Sequence, residues 1–199
     1  MLKIININSN KIDQKTINQA INHLCSGGLI IYPTDTSYGL GALYSNRKSM
    51  ENIYQLKGRE MTKRLSVAIP NMKWAKSSLQ ISEEQERILR QYLPGKFTFI
   101  LKKKNTDDTL GIRIPNSNFI RALTNTLNEP ITATSANISG QNDCFSVDEL
   151  NKGILKRKTA KDLDILVLDA GHLKMGERST VVDLTSGSTN IVRQGSGTL

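Results

Sequence analysis

The chain has 199 residues, of which 38% are hydrophobic and 23% charged, and its formal net charge is +9 at pH 7. These proportions exclude a disordered or fibrous chain. No apolar run approaches the roughly 20 residues of a membrane-spanning helix, so we expect no membrane partner. The two cysteines are too few for a disulfide framework and suit a reducing compartment, which favours a cytoplasmic location.

The first third of the chain predicts two strands and two helices. Residues 3–7 alternate weakly and favour a strand, and Asp13 can cap a helix with an apolar face. The apolar run 29–32, bounded by Gly28 and Pro33, is typical of a short buried strand. Asn46 can cap a second helix, which runs toward a cluster of cations.

The rest of the chain continues to alternate and then becomes richer in strands. Strands are predicted at 65–69, 97–101, 130–133, 165–168, 180–184 and 191–193, and helices after the caps Ser82, Asn116 or Ser117, and Ser146. We therefore expect a single domain over 1–199 with an α/β (α+β) fold, built on one twisted mixed β-sheet flanked by helices. The tail from Gly195 onward is expected to be frayed, with no further domain.

Two loops rich in hydroxyl groups, 34–41 and 134–140, follow predicted strands. Hydroxyl groups donate and accept hydrogen bonds, the carboxylate of Asp35 accepts only, and glycines permit a ligand to approach the backbone. The alternative is a turn whose hydroxyl groups satisfy its own backbone. The residues alone leave both interpretations open.

Cations cluster near the middle of the chain. Residues 57–64 contain four of them and could wrap around an anion, although a solvated charge run is the alternative. Arg113 lies between apolar neighbours, so its burial would require a carboxylate from the protein or from a ligand.

Several common catalytic patterns are absent. Two histidines and two distant cysteines offer no zinc-type cluster, and neither a P-loop nor a nucleophile elbow occurs. The remaining hydroxyl groups and cations can bind phosphates and carboxylates and stabilise developing charge. The residues therefore predict phosphate chemistry by positioning, without a covalent catalytic residue.

Seven motifs in one order resemble the YrdC/Sua5 family of threonylcarbamoyl-AMP synthases, in the short form without the C-terminal Sua5 domain. They lie at 28–41, 57–59, 94–98, 111–115, 134–140, 179–183 and 191–193. The resemblance implies a YrdC-like fold that encloses a deep, positively charged cavity. Family members usually have proline at the position of Arg64 and often at that of Lys96, which leaves room for a paralogue that lacks the activity.

The resemblance implies an enzyme, a nucleotidyltransferase that forms threonylcarbamoyl-AMP and pyrophosphate from L-threonine, bicarbonate and ATP. Magnesium would accompany ATP, with no protein ligands assigned to it. The product would supply the t6A modification of tRNA through a separate threonylcarbamoyl transferase complex.

The resemblance also divides the candidate site residues into two sets. The ATP set is Lys57, Arg59, Lys63, Ser135, Asn137 and Arg193. The threonine set is Thr34, Ser179 and Arg113. For Arg113, a clamp on a carboxylate or phosphate competes with a structural ion pair.

The alternative from a different class is a non-catalytic module of the same fold that binds double-stranded RNA or nucleotides and serves ribosome or rRNA maturation. Its RNA partner, tRNA or double-stranded RNA, would be held through the phosphates. The net charge of +9 allows this. Cation clusters such as 102–104 are not interleaved with aromatic residues, so single-strand stacking has little support. RNA binding explains only the cations, whereas the synthase also explains the hydroxyl groups and Asn137. We therefore favour the enzyme.

Overall fold

The computed structural model describes residues 1–8 and 13–199. Its strands are β1 (Leu2–Asn6), β2 (Leu29–Pro33), β3 (Tyr38–Gly41), β4 (Val67–Ala68), β5 (Phe97–Lys102), β6 (Thr109–Arg113), β7 (Ile131–Thr132), β8 (Thr134–Ser135), β9 (Ile165–Asp169), β10 (Thr180–Asp183) and β11 (Asn190–Arg193). Its helices are α1 (Gln14–Cys25), α2 (Arg47–Lys57), α3 (Met72–Ser78), α4 (Glu83–Tyr92), α5 (Asn118–Leu127), α6 (Val147–Lys152) and α7 (Lys158–Lys161), with a 3-10 turn at Ile154–Lys156.

The strands form two mixed sheets, where the sequence predicted one. The first has the order β1-β9-β2-β3-β8, and the second has the order β11-β10-β5-β6-β4-β7. Each combines parallel and antiparallel pairs. The predicted α/β (α+β) class, with twisted mixed strands flanked by helices, is confirmed. Which strands pair with which depends on long-range contacts, so the local pattern did not reveal the division.

Helices cover both faces of the five-stranded sheet. Strand β2 is buried at every position, and its side chains alternate between two cores. Leu29 and Ile31 share a core with residues of α2 and α6, whereas Ile30 and Tyr32 share one with α1 and α5. A strand covered on both faces has a continuous apolar sequence, which is why residues 29–32 predicted it.

The six-stranded sheet packs against α3 and α4. Phe97 and Phe99 stack there with ring centroids 5.6 Å apart. No helix among residues 1–8 and 13–199 is both long and apolar enough to cross a membrane.

The predicted helix caps are confirmed. Each cap side chain accepts a hydrogen bond from a backbone N–H in the first turn, at Asp13, Asn46, Ser82, Ser117 and Ser146. At Ser82 the bonding is reciprocal, since Gln85 accepts from the Ser82 N–H at 2.8 Å. These local signals fix where helices start without information from the rest of the fold.

Two predicted strands were too long. The strand predicted at 65–69 is only Val67–Ala68, and the one at 130–133 is only Ile131–Thr132. Thr134–Ser135, in the predicted second loop, instead forms a short strand with β3. Strand β7 belongs to the six-stranded sheet and β8 to the other, so the chain crosses between the sheets at Ala133.

The C-terminal tail is held in place rather than frayed, which corrects the prediction. The buried Thr180 hydroxyl donates to the Gly197 carbonyl at 2.6 Å and accepts from the Gly195 N–H at 3.0 Å. The Ser196 N–H also donates to the Arg178 carbonyl. Gly and Ser composition suggested a loose end, but the contacts are tertiary.

Glycines in β3 make room for a buried ring. Tyr32 lies opposite Gly39 in the β2–β3 pair, and a Cβ on Gly39 would lie 2.8 Å from the tyrosine ring. A Cβ on Gly41 would approach the same ring to 2.9 Å. These glycines accommodate a side chain of the protein, and Gly39 also lines the cavity described below, so the predicted approach of a ligand to its backbone stays a prediction.

We expect Gly39→Ala to lower the free energy of unfolding by about 1–3 kcal/mol, because the added methyl overpacks a buried contact. Urea unfolding measures the change. Gly176→Ala is the matched control, since its Cβ would meet no atom closer than 3.4 Å. Equal unfolding midpoints for the two variants would contradict the prediction.

Candidate active site

A cavity of about 210 Å³ is lined by residues of both sheets. Strands β2, β3 and β8 contribute from one sheet, and β5, β6, β10 and β11 from the other. Among the described residues, its lining includes six cations and one carboxylate: Lys57, Arg59, Arg64, Arg113, Arg178, Arg193 and Asp143. Such a wall favours an anionic ligand.

The cavity brings together eight of the nine side chains that the sequence proposed as ligand contacts. These are Thr34, Lys57, Arg59, Arg113, Ser135, Asn137, Ser179 and Arg193. Lys63 is the exception, because it is exposed and its ammonium lies 3.2 Å from the Glu60 carboxylate. Arg64 lines the cavity in its place. Lys63 therefore does not line the cavity in this structure, and the ligand assignments of all nine residues stay predictions.

Lys57, the last residue of α2, is almost fully buried, with 2% of its surface exposed. Its ammonium donates to the Ser135 carbonyl at 2.5 Å, the Asn137 carbonyl at 2.8 Å and the Asn137 Oδ1 at 3.0 Å. Burial lowers its pKa to about 8. The three oxygens favour the charged form at neutral pH, so Lys57 holds the second hydroxyl-rich loop against α2.

A polar network continues from this loop. Ser135 donates to the Asn137 Oδ1 at 2.7 Å, and the Asn137 amide donates to the Asp143 carboxylate at 3.2 Å. Asp143 in turn accepts two bonds of 2.9 Å from Arg178. Asp143 and Arg178 were missed by the sequence analysis, because they lie on separate loops without a local pattern that links them.

A buried pair of hydroxyl groups lies on the opposite wall. Thr98 in β5 and Ser179, just before β10, are 3.0 Å apart through their hydroxyl oxygens. Arg193 donates to the Ser179 carbonyl at 2.8 Å, and burial lowers the pKa of its guanidinium. Parallel pairing of β5 with β10 brings these residues together, which explains why Thr98 lies at the site.

The basic loop 58–64 is folded around Arg59. The Arg59 guanidinium donates to the carbonyls of Lys63 at 2.9 Å and Arg64 at 3.0 Å. Arg64 then joins the loop to the start of β6, because it donates to the Thr109 hydroxyl at 2.7 Å and the Asp108 carboxylate at 2.8 Å. Thus the residue that departs from the family's usual proline anchors the loop.

Thr34 has both of the roles that the sequence left open for the first hydroxyl-rich loop: it bonds to the backbone of its own turn, and it lines the cavity. Its hydroxyl accepts from the N–H groups of Thr36 and Ser37 and donates to the Ser37 carbonyl at 2.7 Å. The hydroxyl therefore satisfies the turn's own backbone, as the alternative stated. Thr34 also lines the cavity.

Arg113 is buried, with 8% of its surface exposed, and its Nη2 lies 2.9 Å from the Asp35 Oδ1. A carboxylate of the protein thus supplies the partner that its apolar neighbours demanded. The buried Nε of Arg113 has no hydrogen-bond partner among the described residues. A buried donor without an acceptor is costly, so this part of Arg113 adds to the cost of its burial.

A second, more open cavity of about 1420 Å³ adjoins the first. The two share Gly140, Asp143, Arg178 and Arg193. The larger one also includes Phe145 and other apolar groups, so it differs chemically from the polar cavity.

Carboxylates near the cavity are not arranged to hold a metal ion. Within residues 1–8 and 13–199, no group of three or more His, Cys, Asp or Glu side chains could bind one. Asp35 and Asp143 are each paired with an arginine. The charge on each of these two carboxylates is therefore met by a cation of the protein.

We expect the wild-type free energy of unfolding to rise between pH 8 and pH 10 relative to Lys57→Met. Between a folded pKa of about 8 and the ordinary 10.5, the folded protein binds fewer protons than the unfolded chain. The difference should approach about 2 kcal/mol, measured by urea unfolding. Lys48→Met, at an exposed position of α2, should keep the wild-type slope. An unchanged slope in Lys57→Met would contradict the assignment.

The family model and similar curated proteins point to the same family. The family model Sua5/YciO/YrdC, described as telomere recombination, matches residues 22–195. A putative threonylcarbamoyl-AMP synthase of Methanocaldococcus jannaschii is 31% identical over 98% of this chain and 92% of its own length. YciO of Escherichia coli, an uncharacterized protein, is 28% identical over 99% of this chain and 97% of its own.

Solved structures of members of this family have a fold similar to that of this chain. Pyrococcus abyssi Sua5 complexed with L-threonine has a TM-score of 0.84 and 26% identity, covering 98% of this chain and 57% of that one. Escherichia coli YciO has a TM-score of 0.83 and 26% identity, covering 100% and 97%. With its fold, its cavity and these matches, the chain belongs to the Sua5/YciO/YrdC family.

Proposed function

We propose that this chain is a nucleotidyltransferase that forms threonylcarbamoyl-AMP and pyrophosphate from L-threonine, bicarbonate and ATP. The observation that carries the proposal is the mixed wall of the cavity, where six cations lie beside hydroxyl groups and the Asn137 amide. Relatives named threonylcarbamoyl-AMP synthase and a Sua5 structure with L-threonine support it. Relatives without an assigned activity, such as YciO, make a direct test necessary.

The chemistry needs positioning more than a nucleophile of the enzyme. Carboxylation of the threonine amine gives a carbamate, and a carbamate oxygen then attacks the α-phosphorus of ATP as pyrophosphate leaves. Well-oriented reactants are worth roughly 7–11 kcal/mol of barrier. A cavity of hydroxyl groups and cations without a catalytic triad suits this reaction.

The uncompensated cations are assigned to the phosphates. Lys57, Arg59 and Arg193 form no ion pair with a carboxylate among the described residues, so their charge is available to ATP. Lys57 would act partly by holding Ser135 and Asn137 in place, because all three of its donors have acceptors there. Magnesium would arrive with ATP and be held by its phosphates.

The remaining three candidate residues are assigned to threonine. Arg113 would bind the carboxylate from the cavity wall, and Thr34 and Ser179 would contact the rest of the amino acid. The small cavity is below the usual 300–1,000 Å³ or so of ligand sites, so adenosine would extend into the adjoining larger cavity.

The product is a mixed anhydride of a carbamate and a phosphate, which is reactive toward nucleophiles. We propose that a separate threonylcarbamoyl transferase complex uses it for the t6A modification of tRNA in the cytoplasm. Direct RNA binding is not required for the synthesis itself.

We expect pyrophosphate release that requires ATP, L-threonine and bicarbonate together. Arg59→Ala should lower kcat/KM by about 100-fold, as expected for the loss of one preorganised charge. Arg47→Ala is the matched control, because Arg47 is exposed on α2, where it pairs with Glu51, and does not line the cavity. It should keep the wild-type rate.

Release that ignores threonine or bicarbonate would contradict the proposal. So would the absence of release from folded protein that still binds duplex RNA, which would favour a binding module of the same fold.

A further inference from the structure

The proposed function gives no role to Asp35, a largely buried carboxylate next to the cavity. Its carboxylate lies beside Arg113, yet Asp35 is not among the residues that line the cavity. Only 9% of each of the two side chains is exposed. Solvent and salt therefore screen this pair much less than a surface ion pair.

Both carboxylate oxygens of Asp35 have partners. Oδ1 accepts from the Arg113 Nη2 at 2.9 Å, and Oδ2 accepts from the Asn116 N–H at 3.4 Å. The turn that carries Asp35 is fixed in addition by the Thr34 hydroxyl, which bonds to Ser37. Asp35 thus joins the loop after β2 to the end of β6 and fixes the Arg113 guanidinium there.

The cations of the cavity fall into two groups. Arg113, Arg64 and Arg178 each have a carboxylate within 2.9 Å. The described residues offer no such partner to Lys57, Arg59 or Arg193, whose hydrogen bonds go to neutral oxygens. A polyphosphate is stabilised by uncompensated cations, whereas a single carboxylate needs one oriented donor and little net charge.

We propose that Asp35 is a positioning residue that orients Arg113 and cancels its charge, so that Arg113 selects the carboxylate of an amino acid over phosphate. The inference rests on the proposed function and deepens it, because it says how one basic cavity separates its two anionic substrates.

The test is ligand selectivity of the full chain with Asp35→Asn, which keeps the shape and removes the charge. By calorimetry, L-threonine should bind about tenfold or more weakly, because Arg113 loses its orientation. Inorganic pyrophosphate should bind about threefold or more tightly, because a negative charge has gone. A purely structural ion pair would not move the two affinities in opposite directions.

Glu86→Gln is the matched control. It removes a carboxylate that pairs with Lys76 and Arg90 on the surface, and Glu86 lines neither cavity. Both affinities should remain at the wild-type values.

A double-mutant cycle tests whether Asp35 acts through Arg113. In an Arg113→Gln background, adding Asp35→Asn should change threonine affinity by less than about twofold. A further tenfold loss would mean that Asp35 contacts the ligand directly and would overturn a positioning role.

Unchanged threonine affinity in Asp35→Asn, or parallel weakening of both ligands, would overturn the proposal.

If Asp35→Asn does not fold, two other variants replace it. Asp35→Glu retains the negative charge, and Asp35→Asn combined with Arg113→Gln removes both charges of the pair. The affinities for L-threonine and for pyrophosphate then decide in the same way. A wild-type chain that binds pyrophosphate but not threonine would refute the proposed function. The gain in pyrophosphate affinity would still test the charge of Asp35.

Discussion

The candidate site depends on one buried ammonium group. Lys57 donates to three oxygens of Ser135 and Asn137, and this contact joins the end of α2 to the chain just after it crosses between the sheets. A buried oxygen left without a donor costs about 1–3 kcal/mol. The loop, the ammonium and the cavity wall therefore form one unit that persists only while its polar groups satisfy each other.

The crossing at Ala133 explains why the cavity lies where it does. Strand β7 pairs with β4 in one sheet and β8 pairs with β3 in the other, so two consecutive short strands connect the sheets. Residues 134–140 are thereby placed across the cavity from Thr98 and Arg193 of the six-stranded sheet and from Ser179, which immediately precedes β10. Polar groups can line this region because they lie between the sheets, outside the apolar cores.

Gathering six cations around a small volume is electrostatically unfavourable unless some are neutralised. The structure neutralises Arg64, Arg113 and Arg178 with Asp108, Asp35 and Asp143. The remaining cations bond to carbonyl and hydroxyl oxygens, which orient them without cancelling their charge. The cavity wall therefore combines neutralised cations with cations that keep their charge, which a uniformly basic surface would lack.

The sequence by itself determined the local features. Caps such as Asp13 and Ser82 and the apolar run of β2 set the helix starts and the buried strand, because they depend on neighbours within a few residues. It also indicated the family and most of the cavity residues, through motifs that are short and contiguous. It did not show that Arg64 rather than Lys63 lines the cavity, because adjacent residues in a loop point in directions that only the folded backbone decides.

Three features were decided only by the tertiary structure. They are the division of the strands into two sheets, the contacts by which Thr180 holds the C-terminal tail, and the partner of each charged side chain. The Arg113–Asp35 pair joins residues 78 positions apart, and the Lys57 contacts span as many as 80. A local pattern shows that Arg113 needs a partner but cannot name it, because proximity between distant residues arises only when the strands pair and the helices pack.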